Sequence, residues 1–316
     1  MSYAICTLFE GNYHWGVAAL SNSLYKRGFR GSVYVGYRGK LPAWTDAAKP
    51  TTSFEWEGSK TLEPADGLKL HFLPLDTKYH FTNYKPDFML RLLDGPASDA
   101  DGIVYFDPDI VIKCKWSFFE TWLSFGVAVV HEVISNDMPA SHPIRLGWKQ
   151  LIESTNRKVT FELRSYLNGG FVGVSRKNIE FLKVWSAYIE LAVTEFGVNP
   201  GKFGGLGRTS IFYYMDQDAF SIAVMCCGCP ISEIGPEGMD FEPGGWTMSH
   251  ATSSPKPWSK NFLSSALKGF PPTRAEHLYW HNVQFPIAPY NSRRKVLHKY
   301  RCMRIASFIG RFYRRY

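Results

Sequence analysis

Short unbroken apolar runs alternate along this chain with stretches in which apolar residues recur at helical spacing. Residues 3–8 form a mostly apolar run, as a strand buried on both faces requires. Polar Glu10-Gly11-Asn12 follows, and over residues 15–26 Val17, Leu20 and Leu24 share one helical face. Gly28 closes that helix, where a left-handed residue is tolerated, and residues 31–37 read as a second strand. Strand, helix and strand at this spacing predict a βαβ opening. Residues 38–67 hold Pro42, Pro50 and Pro64 and show no regular pattern. Further strands are expected at 68–73, 103–106, 110–112, 125–131 and 170–175, and helices at 87–93, 178–193 and 216–224. Beyond Gly244 the chain is rich in Pro, Ser and Trp to about residue 290, a composition of functional loops more than of a second core.

The expected fold class is therefore α/β: a mixed, mainly parallel sheet flanked by helices, filling residues 1–265, with residues 266–316 as a C-terminal extension. No internal repeat is visible. At 316 residues and 45% apolar the chain can fill a sizeable core. Aromatic residues make up 16%, an excess that serves a core and also suits contact with sugar C–H faces.

Charge changes the picture more. The net charge is +8, yet residues 293–316 alone hold nine Lys or Arg and no acid; removing them leaves 27 basic against 28 acidic residues. The basicity belongs to the tail. The body lacks a basic surface and a nucleic-acid motif, so no nucleic-acid partner is expected. Cys226-Cys227-Gly228-Cys229 lacks a second pair at zinc spacing and reads as reduced thiols. With no secretory signal and no run of about 18 apolar residues, the expected location is cytoplasmic, peripheral on the cytosolic face of a membrane.

The candidate chemistry starts at Asp107-Pro108-Asp109, directly after the apolar run 103–106. Ligands of open α/β sheets gather at the carboxyl ends of parallel strands. Two carboxylates one residue apart, stiffened by Pro108, can both reach one hard cation there. Such an ion would neutralise charge building on a leaving diphosphate. A turn with two capping Asp residues is the alternative.

Residues 106–111 resemble the D-x-D segment of GT-A glycosyltransferases, particularly the retaining galactosyl- and glucosyltransferases of family GT8. Residues 250–258, His-Ala-Thr-Ser-Ser-Pro-Lys-Pro-Trp, are similar to that family's H-x-x-G-x-x-K-P-W segment, with Ser253 where the family has Gly. The resemblance implies His250 as third metal ligand beside Asp107 and Asp109, and Lys256 on the diphosphate, with Trp258 beside it. An imidazole added to two carboxylates suits Mn²⁺ somewhat better than Mg²⁺. Glu10-Gly11-Asn12-Tyr13 resembles the family's nucleotide-contacting turn, so Glu10, Asn12 and Tyr13, with Thr7 on the first strand, are expected at the nucleotide. Leu167-Asn168-Gly169-Gly170 resembles the N-(A/S)-G segment, and Asp216-Gln217-Asp218 the D-Q-D at a helix start; Asn168, Gly169, Gly170, Asp216 and Gln217 are expected at the donor sugar, with Asp218 structural. Lys85 stands near a basic donor contact of the family; a solvated surface lysine is the alternative. These segments lie in family order over residues 3–258.

The activity this implies is metal-dependent transfer of a hexosyl group from a nucleotide-diphosphate sugar, UDP-linked, to a hydroxyl of a lipid-anchored glycan, with retention. Were the outcome inversion, a protein base would be needed, and Glu132 is the candidate. A sugar-nucleotide nucleotidyltransferase would show a Gly-rich basic phosphate loop after the first strand, which Glu10-Gly11-Asn12 is not. A non-catalytic glycan-binding protein on the same fold sits poorly with intact Asp107, Asp109, His250 and Lys256.

From Arg304, the residues Ile305, Phe308, Ile309, Phe312, Tyr313 and Tyr316 fall on one helical face, with Arg304, Arg311, Arg314 and Arg315 opposite. A basic amphipathic helix of this kind suits an anionic membrane surface. The alternative is a terminal helix docked on its own domain by the same face.

Overall fold

The computed structural model describes residues 2–132, 138–313 and 315. In chain order the elements are β1 (Tyr3–Glu10), α1 (His14–Lys26), β2 (Gly31–Arg38), β3 (Lys49–Pro50), β4 (Lys60–Ala65), β5 (Leu68–Pro74), α2 (Lys85–Asp94), β6 (Gly102–Phe106) and β7 (Ile110–Ile112). Then follow α3 (Trp116–Ser124), β8 (Val127–Val130), α4 (Pro143–Ser154), β9 (Phe171–Ser175), α5 (Glu180–Thr194), α6 (Met215–Cys226), β10 (Ile231–Ile234), β11 (Met248–His250), α7 (Phe262–Leu267), α8 (Arg274–His281) and α9 (Arg293–Ile309).

The N-terminal apolar run becomes the middle of a nine-stranded sheet of order β10-β8-β9-β6-β1-β2-β5-β4-β3. β1 pairs in parallel with β2 and β6, and β2 in parallel with β5, so the four central strands end together at one edge. β9 enters antiparallel between β6 and β8. Period-two alternation in β1 sends Ala4, Cys6 and Leu8 into a core shared with α2, α4, α5 and α6, and Tyr3, Ile5 and Phe9 into one shared with α1 and α3. Burial on both faces explains why β1 shows no polar alternation in sequence.

Several expectations are revised. Within 38–67 the chain forms β4, antiparallel to β5, with β3 beyond it. The β4–β5 register shifts between Leu62 and Ala65, which accommodates Pro64 in a strand near the sheet edge, where a missing donor is tolerated. α3 and α4 were not anticipated. In α3 the buried Trp116, Phe119, Trp122 and Leu123 sit at helical spacing, but five aromatics in ten residues also read as a strand.

The segment expected to be loops carries α7 and α8 and builds a third cluster, in which Phe262, Ala266, Tyr279 and Trp280 pack with Val296, Met303 and Ala306 of α9 and with Ala19 and Val111. A buried Lys260–Glu276 pair at 2.7 Å fastens it, and Glu276 also closes a capping box with Thr273 at the start of α8.

The tail helix begins eleven residues earlier than expected and ends at Ile309. It docks through Val296, Met303 and Ala306, and of the face read from sequence Ile309 packs beside them. Ile305, Phe308 and Phe312 remain exposed, Phe312 to 78%. Arg314 and Tyr316, also assigned to that helix, lie outside the described residues. Among the described residues no helix is long and apolar enough to cross a membrane.

Candidate active site

β6 delivers Asp107 to the edge where the central strands end, and the chain turns there because Ile110 N donates to Asp107 O at 3.0 Å. Asp107 N donates in turn to Gly170 O at 2.7 Å, which ties the D-P-D turn to the segment entering β9. β7 and β11 form a separate antiparallel ribbon whose register sets His250 opposite Ile110. That pairing, reinforced by Ala251 N donating to Asp109 O at 3.1 Å, brings together residues 141 positions apart in sequence.

His250 Nε2 lies 3.1 Å from Asp109 Oδ1 and 3.8 Å from Asp107 Oδ2. One ligand atom from each of Asp107, Asp109 and His250 lies within 4.8 Å of the others, so the group could hold a metal ion. Among the described residues no other group of this kind occurs. Oxygen and imidazole donors fit Mn²⁺ or Mg²⁺ and lack the thiolates of a structural zinc site.

Two lysines flank the carboxylates. Lys85 is 2% exposed, which excludes the solvated-surface alternative; its Nζ donates to Gly169 O at 2.8 Å and sits 3.4 Å from Asp107 and 3.3 Å from Asp216. Burial pulls the ammonium pKa down, but the two carboxylates outweigh burial and leave it above the ordinary lysine value. Lys256 Nζ lies 2.6 Å from Asp109 and also donates to Ala251 O at 2.8 Å. Burial raises the Asp109 pKa, yet His250 and Lys256 more than offset it, and the carboxyl lies well below its usual range.

The side of the site nearest α6 is a hydrogen-bonded set. Gln217 Nε2 donates to Glu132 at 3.1 Å while its Oε1 accepts from Gly169 N at 3.0 Å, so both ends of the amide are fixed. Asn168 Nδ2 donates to the same Glu132 oxygen at 2.9 Å, and Asn168 Oδ1 accepts from Gly170 N at 2.9 Å. Burial raises the Glu132 carboxyl pKa, opposed by the hydrogen bonds from Asn168 and Gln217. Asp218 points away into Tyr166 OH (2.8 Å) and Tyr214 N (2.6 Å). Burial pushes its carboxyl up to about 8, as befits a structural anchor of α6.

These groups line a cavity of about 560 Å³ that holds Glu10, Tyr13, Lys85, Asp107, Asp109, Glu132, Asn168, Asp216, Gln217, His250 and Lys256. Tyr13 packs edge-on against Trp258, with ring centroids 5.4 Å apart, and the Lys256 ammonium lies 5.8 Å from the Tyr13 ring. Gly169 and Gly170 contribute clearance: a Cβ on Gly170 would stand 2.5 Å from the His250 ring and 3.0 Å from Asp107 Oδ2. Of the expected residues, Gly169, Gly170 and Trp258 stand directly behind the lining, against Gln217, Asn168 and Tyr13, and two others are not brought in. Thr7 is wholly buried in β1 on the Ile5–Phe9 side, and Asn12 is exposed and not part of the lining.

Ser253 needs no left-handed backbone, since among the described non-glycine residues only Asn156 and Asp240 have positive φ. Sequence reading missed Tyr105, whose OH donates to Asp107 at 2.8 Å, and His80, Phe203 and Tyr214, which also line the cavity. It also missed Gly16, where a Cβ would meet Pro108 O at 2.2 Å. The aromatic run Phe212-Tyr213-Tyr214 just before Asp216-Gln217 was the available signal. A larger groove, about 990 Å³, lies at the opposite ends of the central strands and is rimmed by lysines and arginines, away from this chemistry.

No protein-family model and no curated protein matches the sequence. Solved structures do match in fold. The bifunctional glycosyltransferase WbbM, in its apo structure, superposes with a TM-score of 0.50 at 15% identity, over 96% of this chain and 52% of that one. The glycosyltransferase GlyE of Streptococcus pneumoniae superposes with a TM-score of 0.52 at 13% identity, over 98% of this chain and 64% of that one. The chain thus spans between half and two thirds of the length of these structures, and over that span its fold is the one glycosyltransferases use, as the resemblance implied.

Proposed function

We propose that the chain is a metal-dependent glycosyltransferase that moves a hexosyl group from a nucleotide-diphosphate sugar, UDP-linked, to a hydroxyl of a lipid-anchored glycan, with retention. The observation that carries the reading is the convergence of Asp107, Asp109 and His250 in one cavity with buried Lys85 and Lys256. Asp107, Asp109 and His250 would hold Mn²⁺ or Mg²⁺, which supplies positive charge to a leaving diphosphate. Lys256 would bind that diphosphate, its fixed charge acting where negative charge develops. Tyr13, with Trp258 behind it, offers a ring to the nucleotide base, and Glu10 a carboxylate acceptor. Asp216 and Gln217 face the sugar from the first turn of α6, and Glu132 orients the Gln217 amide. The leaving phosphate serves as base for the acceptor hydroxyl.

A screen of nucleotide sugars for donor hydrolysis, with Mn²⁺ and after metal stripping, tests the proposal without an acceptor. Hydrolysis of a UDP-sugar with Mn²⁺ and its loss in EDTA are expected; equal rates in EDTA would remove the metal role. The anomeric configuration of the product, read by NMR, separates retention from an inverting reaction in which Glu132 acts as base.

The acceptor's lipid anchor is proposed from α9. Ile305, Phe308 and Phe312 are exposed beside Arg301, Arg304 and Arg311, a combination that suits an anionic bilayer surface.

A further inference from the structure

Phe203 is a large aromatic residue that belongs to none of the three cores and is 64% exposed, yet it lines the mouth of the cavity. Its ring stands between His80 and Tyr214, with centroids 5.8 Å from each. The loop that carries it is fixed in place. His80 N donates to Pro200 O at 2.8 Å, and the buried Asn83 side chain donates to Pro200 O and Lys202 O at 2.9 and 3.1 Å. On the far side Gly205 N and Leu206 N donate to Tyr213 O and Phe212 O at 2.8 and 2.7 Å. Gly205 permits that approach, since a Cβ there would lie 2.2 Å from Phe212 O.

Both supports lead straight into the site. Asn83 is two residues before Lys85, and Tyr214 is two residues before Asp216. Single exposed aromatics are ordinary on a surface; Phe203 differs in that its backbone is held on two sides and its ring lines the cavity. Tyr13 and Trp258 belong to the segments that flank Asp109 and Lys256, whereas Phe203 stands with Tyr214, the residue just before α6, on the cavity that Gln217 and Glu132 also line.

We propose that Phe203, braced by Tyr214 and His80, is the platform on which the acceptor sugar rests. This inference builds on the transferase reading above and names the acceptor's class: a hexopyranoside with one face of unsubstituted C–H groups. That face meets the Phe203 ring, while the sugar's hydroxyls turn toward the cavity, where Glu132 supplies a carboxylate oxygen.

The test compares wild type with Phe203→Ala and Phe203→Tyr, using methyl β-galactoside, methyl β-glucoside and methyl N-acetyl-β-glucosaminide as probes in saturation-transfer NMR, with UDP and Mn²⁺ present. At least one glycoside is expected to bind wild type through its ring C–H groups, to weaken about tenfold in Phe203→Ala, and to recover in Phe203→Tyr, since an aromatic contact is worth up to about a factor of ten. In turnover the same loss should fall on the acceptor KM, with the donor KM moving less than about threefold, within the scatter of a surface change. If no glycoside binds in a Phe203-dependent way, the platform is wrong. If the donor KM rises instead, the ring stacks on the nucleotide and the assignment to the acceptor is overturned. Absence of donor hydrolysis in wild type is a different result, and it strikes the transferase reading.

Discussion

The cavity and the C-terminal helix use positive charge in opposite ways. In the cavity Lys85 and Lys256 are largely buried and each lies within 3.4 Å of a carboxylate. On α9, Arg293, Arg294, Lys295, Arg301 and Arg304 are exposed, and among the described residues no cation of that helix pairs with a carboxylate. Buried charges are costly unless matched, so the cavity's charges are interlocked and depend on one another. Exposed charges cost little and are free to meet a partner from outside. The first arrangement fits holding a reaction in place; the second fits transient attachment to a surface.

That contrast breaks most sharply at Lys85. Replacing it by Met leaves Asp107 and Asp216 without their shared cation and is expected to cost on the order of 3–5 kcal/mol in stability, as loss of one partner of a buried pair does. Urea unfolding measures it, and a loss under about 1 kcal/mol would show that solvent compensates these carboxylates, as at an exposed pair.

The next effect is on turnover. Asp107→Asn and Asp109→Asn should each lower donor hydrolysis by at least about 10²-fold, because each would remove charge from the group proposed to stabilise the leaving diphosphate. Single-turnover rates at saturating donor give the number, and a change below about fivefold would separate these residues from the chemistry.

On α9 the expected step is smallest. Arg304→Gln should weaken attachment to vesicles of phosphatidylserine and phosphatidylcholine by about 1 kcal/mol, with no loss of thermal stability. Raising salt from about 0.05 M to 0.5 M should erase the difference, because exposed charges are screened within about a Debye length. Flotation that is indifferent to both charge and salt would leave α9 a purely structural helix.

The central strands and first helix were legible because each is coded locally: β1 as an unbroken apolar run, α1 by its spacing, β6 by its abrupt stop at Asp107. The carboxylate pair was legible for the same reason. Lys85 was reached only through the family resemblance, since its burial follows from where α2 meets β6 and α6, and nothing in Tyr84-Lys85-Pro86 itself distinguishes it from a surface lysine. Glu132 had only its position after a strand; its bonds to Asn168 and Gln217 join three distant segments. The start of the tail helix was misplaced because a strong local period from Ile305 to Phe312 hid the sparser Val296, Met303 and Ala306, which pack against the body. Amphipathic periodicity shows that a face exists, and contacts decide which face is used.

Gly16 has a wider consequence. Its missing side chain lets the first turn of α1 rest on the carbonyl of Pro108, so the helix that follows the Glu10–Tyr13 turn meets the carboxylate turn directly. With Gly170 closing the other flank against His250 and Asp107, the D-P-D turn works as a part fitted without play. The chain can drift at many lining positions and keep its cavity, but at residues 16 and 170 one added carbon displaces the centre of the site, so the two smallest residues set its tolerance.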